Sequence, residues 1–135
     1  MRRWSERSLR NLAGIHPDLR RVMDRALQES PVDMVINEGL RTLERQRKLL
    51  AIKATTTLKS RHITGHAIDF YAMVDVDRDG DIEFVEMCNP RLMKQIADAI
   101  KAAAVKEGVA IVWGGDWRTF KDPPHIELDR RKYPA

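Results

Sequence analysis

The distribution of apolar positions along the chain predicts alternating helices and strands. After His16-Pro17-Asp18, apolar residues recur at Leu19, Val22, Met23, Ala26 and Leu27, the spacing of one helical face. Pro17 suits the first helical position, and Ser30-Pro31 stops the pattern. Met34-Val35-Ile36 reads as a short strand. A second helix is expected from about Thr42 to Lys53, followed by a polar loop through Ala54-Thr55-Thr56-Thr57 to Ser60. His66 to Val74 reads as a strand in the middle of a sheet. Asn89-Pro90 opens a third helix with Asn89 as N-cap, Leu92, Ile96, Ile100 and Ala103 as its buried stripe, and Gly108 as its end. Val109 to Trp113 and His125 to Leu128 complete the strands, separated by a turn-rich loop from Gly114 to Pro124. The pattern predicts a single α+β domain over residues 1–135, without repeats or linkers.

Composition narrows the class. A chain of 135 residues with 43% hydrophobic content can fill one core. No apolar run approaches the roughly 20 residues of a transmembrane helix, so no stable membrane insertion is expected. The basic N-terminus has neither an apolar core nor a small-residue cleavage site, so no signal peptide is expected. A lone cysteine, Cys88, excludes an intramolecular disulfide and a Cys-based zinc cluster, and reads as a half-buried small hydrophobe.

Charge is distributed unevenly. Residues 75–86 (DVDRDGDIEFVE) carry a net −5 within an overall +4, which leaves +9 on the rest of the chain. A basic body suits a polyanionic partner, either a bacterial envelope or nucleic acid. No helix carries a basic stripe interleaved with aromatics, so nucleic acid is set aside.

The acidic stretch matches the twelve-residue EF-hand loop. Asp75, Asp77 and Asp79 take positions 1, 3 and 5, Gly80 position 6, Asp81 position 7, Ile82 position 8 and Glu86 position 12. A strand, not a helix, precedes it, and the competing reading is a solvated Asp79-Gly80 hairpin turn. Calcium is the expected ligand, and the loop leaves directly from the strand bearing Asp69.

Candidate chemistry lies elsewhere. Alternation through HAIDFYA puts Ile68 and Phe70 on one face and Ala67, Asp69 and Tyr71 on the other. A carboxylate in an apolar strand is costly to bury unless donors or a cation meet it. His62 precedes Asp69 by seven residues, and Asp122-Pro-Pro-His125 sets a second His at a strand start. Two His and one carboxylate form a recurrent ligand set for catalytic zinc, beside which another carboxylate can take a proton from water. His66 reads as a non-ligand, since Gly65 intervenes and the helical H-E-x-x-H motif is absent. Spacing alone leaves all of these His open to structural roles.

Ser60-x-His62-x-x-Gly65-x-Ala67-x-Asp69 joined to Asp122-x-x-His125 resembles the signature of the zinc D-Ala-D-Ala metallopeptidase family. Similarity extends to Gly39-Leu40-Arg41-Thr42, Gln46 and Trp113-Gly114-Gly115-Asp116-Trp117, spans about residues 16–128, and is greatest to the phage endolysins that cut L-alanyl-D-glutamate. The resemblance implies a hedgehog-type fold, a mostly antiparallel sheet with helices on one side and a groove across it. It implies zinc on His62, Asp69 and His125, Asp122 as general base and acid, and Arg41 at an oxyanion or substrate carboxylate. Ser60 and Asp116 would bind substrate or orient the site. Many relatives carry Glu where this chain has Asp122. For Arg41 the alternative is a surface salt bridge, and for Trp113 and Trp117 it is core packing.

The function implied is a zinc endopeptidase, a monomer, acting on the L-Ala-D-Glu bond of the peptidoglycan stem peptide. Synthesis is expected in the host bacterial cytoplasm, with action at the wall after a membrane lesion. Two alternatives stand beside it: the same chemistry on terminal D-Ala-D-Ala, and a non-catalytic, calcium-dependent wall-binding module.

Overall fold

A computed structural model describes residues 1–53, 60–74, 80 and 88–134. Among the described residues, four helices and four strands follow one another along the chain. They are α1 (Glu6–Leu12), α2 (Pro17–Glu29), β1 (Met34–Glu38), α3 (Leu43–Ala51), β2 (Ala67–Ala72), α4 (Pro90–Glu107), β3 (Ile111–Trp113) and β4 (His125–Leu128). A 3-10 turn, Gly114–Asp116, follows β3.

The strands form one antiparallel sheet in the order β1-β2-β4-β3. One face packs on α2 and α4. From the sheet it contributes Met34, Ile36, Ile68, Phe70, Ala72, Ile126 and Leu128, all buried. The helices answer with the two expected stripes. Leu19, Val22, Met23, Ala26 and Leu27 of α2 are buried, as are Leu92, Ile96, Ile100 and Ala103 of α4, together with Met93, Ala97 and Ala104. Each large side chain so buried contributes roughly 1.5–3 kcal/mol. Arg25 pairs with Glu107 at 2.6 Å and Lys106 with Glu29 at 2.8 Å across the exposed seam between α2 and α4.

The helix boundaries follow local signals. Asn89 Oδ1 accepts from the backbone N–H groups of Arg91 and Leu92, and Gly108 ends α4 in the left-handed region. Pro17 opens α2, and the His16 ring accepts from Asp18 N–H. Thr42 is the cap of α3 rather than its first residue, and the helix stops at Ala51.

Helical periodicity did not reveal α1. Ser5 caps it by accepting from Ser8 N–H. The buried Ser8 Oγ accepts from Ile36 N–H at 3.0 Å, and Asn11 Nδ2 donates to Ile36 O at 2.8 Å. β1 is an edge strand, and this short helix covers its open edge with polar side chains.

Candidate metal centre

The sheet face opposite the helices carries the chemistry. Antiparallel registration sets Asp69 of β2 directly opposite His125 of β4. Alternation then gives Asp69, His125 and Glu127 to the same face, while Ile68, Ile126 and Leu128 enter the core. On the other flank, a register shift between Ile36 and Glu38 marks a β-bulge. Asn37, the residue between them, has its side-chain oxygen held by Arg7. The bulge brings Glu38 into register with Asp69, aiming its carboxylate at the site side of the sheet.

His62 arrives from the turn before β2. Its backbone N–H donates to Ser60 Oγ at 3.2 Å, and its carbonyl accepts from Arg41 N–H at 2.8 Å. Its ring Nδ1 lies 2.9 Å from Gly39 O. A carbonyl can only accept, so Nδ1 carries the proton and Nε2 keeps its lone pair. That Nε2 lies 3.3 Å from Asp69 Oδ1. Gly39 fits here because a Cβ on it would lie 1.7 Å from Asn11 O.

His125 is also held at one ring nitrogen, by a carboxylate. Its Nε2 faces Glu127 Oε1 at 2.9 Å and its Nδ1 faces Asp69 Oδ1 at 3.5 Å. The two rings meet edge-on, 5.3 Å between centres. Oδ1 of Asp69 is buried and has no hydrogen-bond donor, because both ring contacts have ion-pair distance without hydrogen-bond geometry. Among the described residues, His62, Asp69 and His125 are the one group of three potential ligands whose ligand atoms lie within 4.8 Å of one another. Two buried imidazole nitrogens and an orphaned carboxylate oxygen converging on one point are a donor set that a divalent cation satisfies, and zinc fits its N and O composition.

Electrostatics agree with this geometry. Burial by itself would raise the Asp69 carboxyl, but the His125 and His62 rings outweigh it and hold it below the usual range. Burial would lower His125, but Asp69 and Glu127 outweigh it, and without metal the ring is pushed up to about 9. The Asp122 carboxyl is raised, first by burial and then by the charge of Asp69. Asp122 is half-buried, at the end of the 3-10 turn's loop. Its N–H donates to Gly114 O at 3.0 Å, and its carbonyl accepts from His125 N–H at 3.0 Å. A Cβ on Gly114 would lie 2.3 Å from that same Asp122 carbonyl, so the loop closes only over glycine.

Arg41 is not on the surface. Its side chain is 10% exposed and forks onto Glu38 with two contacts of 2.7 Å. Its Nη1 also donates to Gln46 Oε1 at 2.7 Å and approaches Ser60 Oγ at 3.5 Å. Ser60 thus steadies both Arg41 and His62. The two tryptophans divide between the two readings. Trp117 lies beside His125, ring centres 5.1 Å apart, whereas Trp113 packs against the core and donates to Pro123 O at 2.7 Å. Asp116 is not joined to the ligand cluster; it pairs with Lys101 of α4 at 2.7 Å. His66 also stands outside the cluster, with Nδ1 against Thr64 and its ring 5.4 Å from His16. Cys88 is half-buried, and burial pushes its thiol up, away from reactive thiolate. Asp75, Asp77, Asp79, Asp81 and Glu86 lie outside the described residues; Gly80 is exposed with φ of 88°.

Residues 1–133 match the family model of the phage L-alanyl-D-glutamate peptidases. The chain belongs to that family. The match includes α1 and so reaches further upstream than the motifs around residues 16–128. Among its relatives is the L-alanyl-D-glutamate peptidase of Escherichia phage T5, 31% identical over 135 residues, covering 97% of this chain and 92% of that one. Among solved structures, the Serratia marcescens L-Ala D-Glu endopeptidase ChiX superposes with a TM-score of 0.83 at 42% identity, covering 99% of this chain and 95% of that one. The D,D-dipeptidase VanXYg shares the fold, with a TM-score of 0.53 at 20% identity over 84% of this chain and 50% of that one. Membership makes this chain a peptidase of the L-alanyl-D-glutamate type, on the α+β fold with an antiparallel sheet that the sequence implied.

Two features had no reading at the sequence level. Glu127 is buried and bonded to His125. The Gly39 carbonyl fixes His62 from 23 positions away. The His-x-Glu alternation on β4 was the available signal for Glu127, since i and i+2 share a face.

Proposed function

We propose that this peptidase hydrolyses the L-Ala-D-Glu bond of the peptidoglycan stem peptide with one zinc held by His62, Asp69 and His125. The observation that carries the metal assignment is the buried, donor-less Oδ1 of Asp69 between two histidine nitrogens. Bound zinc supplies Lewis-acid polarisation and acidifies water. Asp122, its carboxyl raised by burial, takes the proton from the attacking water and returns it to the departing D-Glu nitrogen. Arg41, held rigid by Glu38, Gln46 and Ser60, offers its remaining N–H to a substrate oxygen. Trp117 forms a wall beside His125. Substrate would lie across the sheet, between Arg41, in the segment after β1, and Trp117, after the 3-10 turn that follows β3.

The enzyme works as a monomer at the bacterial wall, reached from the cytoplasm through a membrane lesion, with the basic body supplying attraction to the envelope. Among the described residues no helix is long and apolar enough to cross a membrane. The EF-hand pattern of residues 75–86 supports calcium as a second, regulatory cation.

Mass spectrometry of muropeptides digested with and without a zinc chelator tests the reaction. Chelator-sensitive fragments that begin with D-Glu are expected. Release of free D-Ala alone would instead assign the D-Ala-D-Ala reaction, and unchanged muropeptides would leave a wall-binding module.

A further inference from the structure

Behind His125 lies a second layer of charge that hydrolysis does not use. Glu127 is 4% exposed, two residues along β4 and on the same face as His125. Its Oε1 meets His125 Nε2 at 2.9 Å and its Oε2 accepts from Arg130 Nε at 3.1 Å. Arg61, 7% exposed, brings its Nε to 3.7 Å from Glu127 and donates through Nη2 to Leu128 O at 2.9 Å. That Nε has no hydrogen-bond acceptor of its own. A buried carboxylate is expensive unless paired, and a buried guanidinium equally so. Here each offsets the other, and both are adjacent to ligands: Arg61 precedes His62, and Glu127 comes two residues after His125.

An imidazole can rotate and can carry its proton on either nitrogen. Only one combination aims the lone pair of Nδ1 at Asp69. Glu127 selects it, because a carboxylate accepting from Nε2–H leaves Nδ1 free. His62 obtains the same selection from a neutral backbone carbonyl, so the two ligands are oriented by different chemistry.

We infer that Glu127, backed by Arg61 and Arg130, is a positioning residue that fixes the ring and tautomer of His125 for metal uptake, and is not a base in the reaction. The inference rests on the zinc assignment proposed above. A carboxylate behind a ligating histidine also makes that ligand more basic, and loss of such partners typically weakens metal binding by about 10–100-fold.

The test uses the full chain, with Zn²⁺ titrated against a competing chelator into metal-free wild type, Glu127→Gln and Glu127→Leu. Thermal unfolding of each metal-free protein, and imidazole ¹⁵N–¹H correlation spectra of each zinc-loaded protein, accompany the titration. Wild type should bind one zinc and show His125 protonated on Nε2. Failure of wild type to bind zinc would refute the metal assignment itself, a result distinct from any effect of the Glu127 variants. In Leu, the zinc Kd should rise about 10–100-fold. In Gln, one amide oxygen cannot serve both His125 and Arg130, so an intermediate rise is expected. If both variants fold and bind zinc within twofold of wild type, Glu127 does not position His125. Should Leu fail to fold, Gln decides alone: a rise of threefold or more sustains the inference, and a smaller one overturns it. A purely structural role would lower the unfolding temperature and leave Kd unchanged.

Discussion

Asp69 and His125 face each other directly across the β2–β4 ladder, and their side chains meet at 3.5 Å between Oδ1 and Nδ1. Directly opposed residues on antiparallel strands share a face and hold their Cβ atoms about 5 Å apart. Two of the three proposed ligands are therefore fixed by backbone hydrogen bonding, and only His62 depends on a loop.

Replacing His62, Asp69 or His125 by Ala should each abolish stoichiometric zinc and activity. His66→Ala should retain both, because that ring faces Thr64 and His16. Metal content of the purified variants checks this. A zinc-free His66→Ala would place His66 in the ligand set.

Asp122→Asn keeps shape but cannot accept a proton. It should bind zinc normally and lose activity by roughly 10²–10⁴-fold. Asp122→Glu should retain part of the activity, since it keeps a carboxylate one methylene further out. Hydrolysis rates of the two zinc-loaded variants decide it. A normal rate for Asn would transfer the base to another group.

In the metal-free protein, stability should depend on pH through this pair. His125 is raised from 6.5 to about 9, so its contribution is complete below about pH 6.5 and disappears as pH rises through about 9. Asp69 is lowered from 3.8, so its contribution is complete above that value and is lost as pH falls below it. Thermal unfolding temperature should accordingly fall toward pH 9, and His125→Ala should abolish that fall. Zinc must also displace the Nδ1 proton, so metal uptake near pH 7 should release about one proton from His125. Calorimetry in buffers of different ionisation enthalpy reads the release directly.

Gly39→Ala should destabilise the fold and loosen the site together. The added Cβ meets Asn11 O at 1.7 Å and Asn11 C at 2.8 Å, both backbone atoms that cannot swing away. A loss of about 1–3 kcal/mol is expected, visible as a drop of several degrees in unfolding temperature. The carbonyl that holds His62 would shift too, so zinc Kd should rise in the same variant. An unchanged unfolding temperature would refute the close approach.

Calcium should act on residues 75–86. Six acids in twelve positions repel one another without a cation. Titration of millimolar calcium into zinc-loaded protein should shift their backbone amide signals and raise lytic activity, and Glu86→Gln should blunt both. Amide signals that ignore calcium would reduce the EF-hand match to a coincidence of sequence.

Whatever depends on neighbours along the chain was legible in the sequence. Helical periodicity marked the buried stripes of α2 and α4, and alternation placed Asp69 away from the core face of β2. Caps such as Asn89 and stops such as Ser30 act over one turn, so they too are local. Two separated motifs carried the family and the residues of the His62, Asp69 and His125 cluster. Folding settled what depends on residues distant in sequence. The seven-residue α1 is too short for a periodic signal and owes its place to Ser8 and Asn11 on the edge of β1. Strand order follows from pairing β2 with β4, whose residues lie more than fifty positions apart. The tautomers of His62 and His125 depend on Gly39 and Glu127, and Asp116 turns to Lys101, because hydrogen bonds and ion pairs form between groups that folding brings together, whatever their separation along the chain.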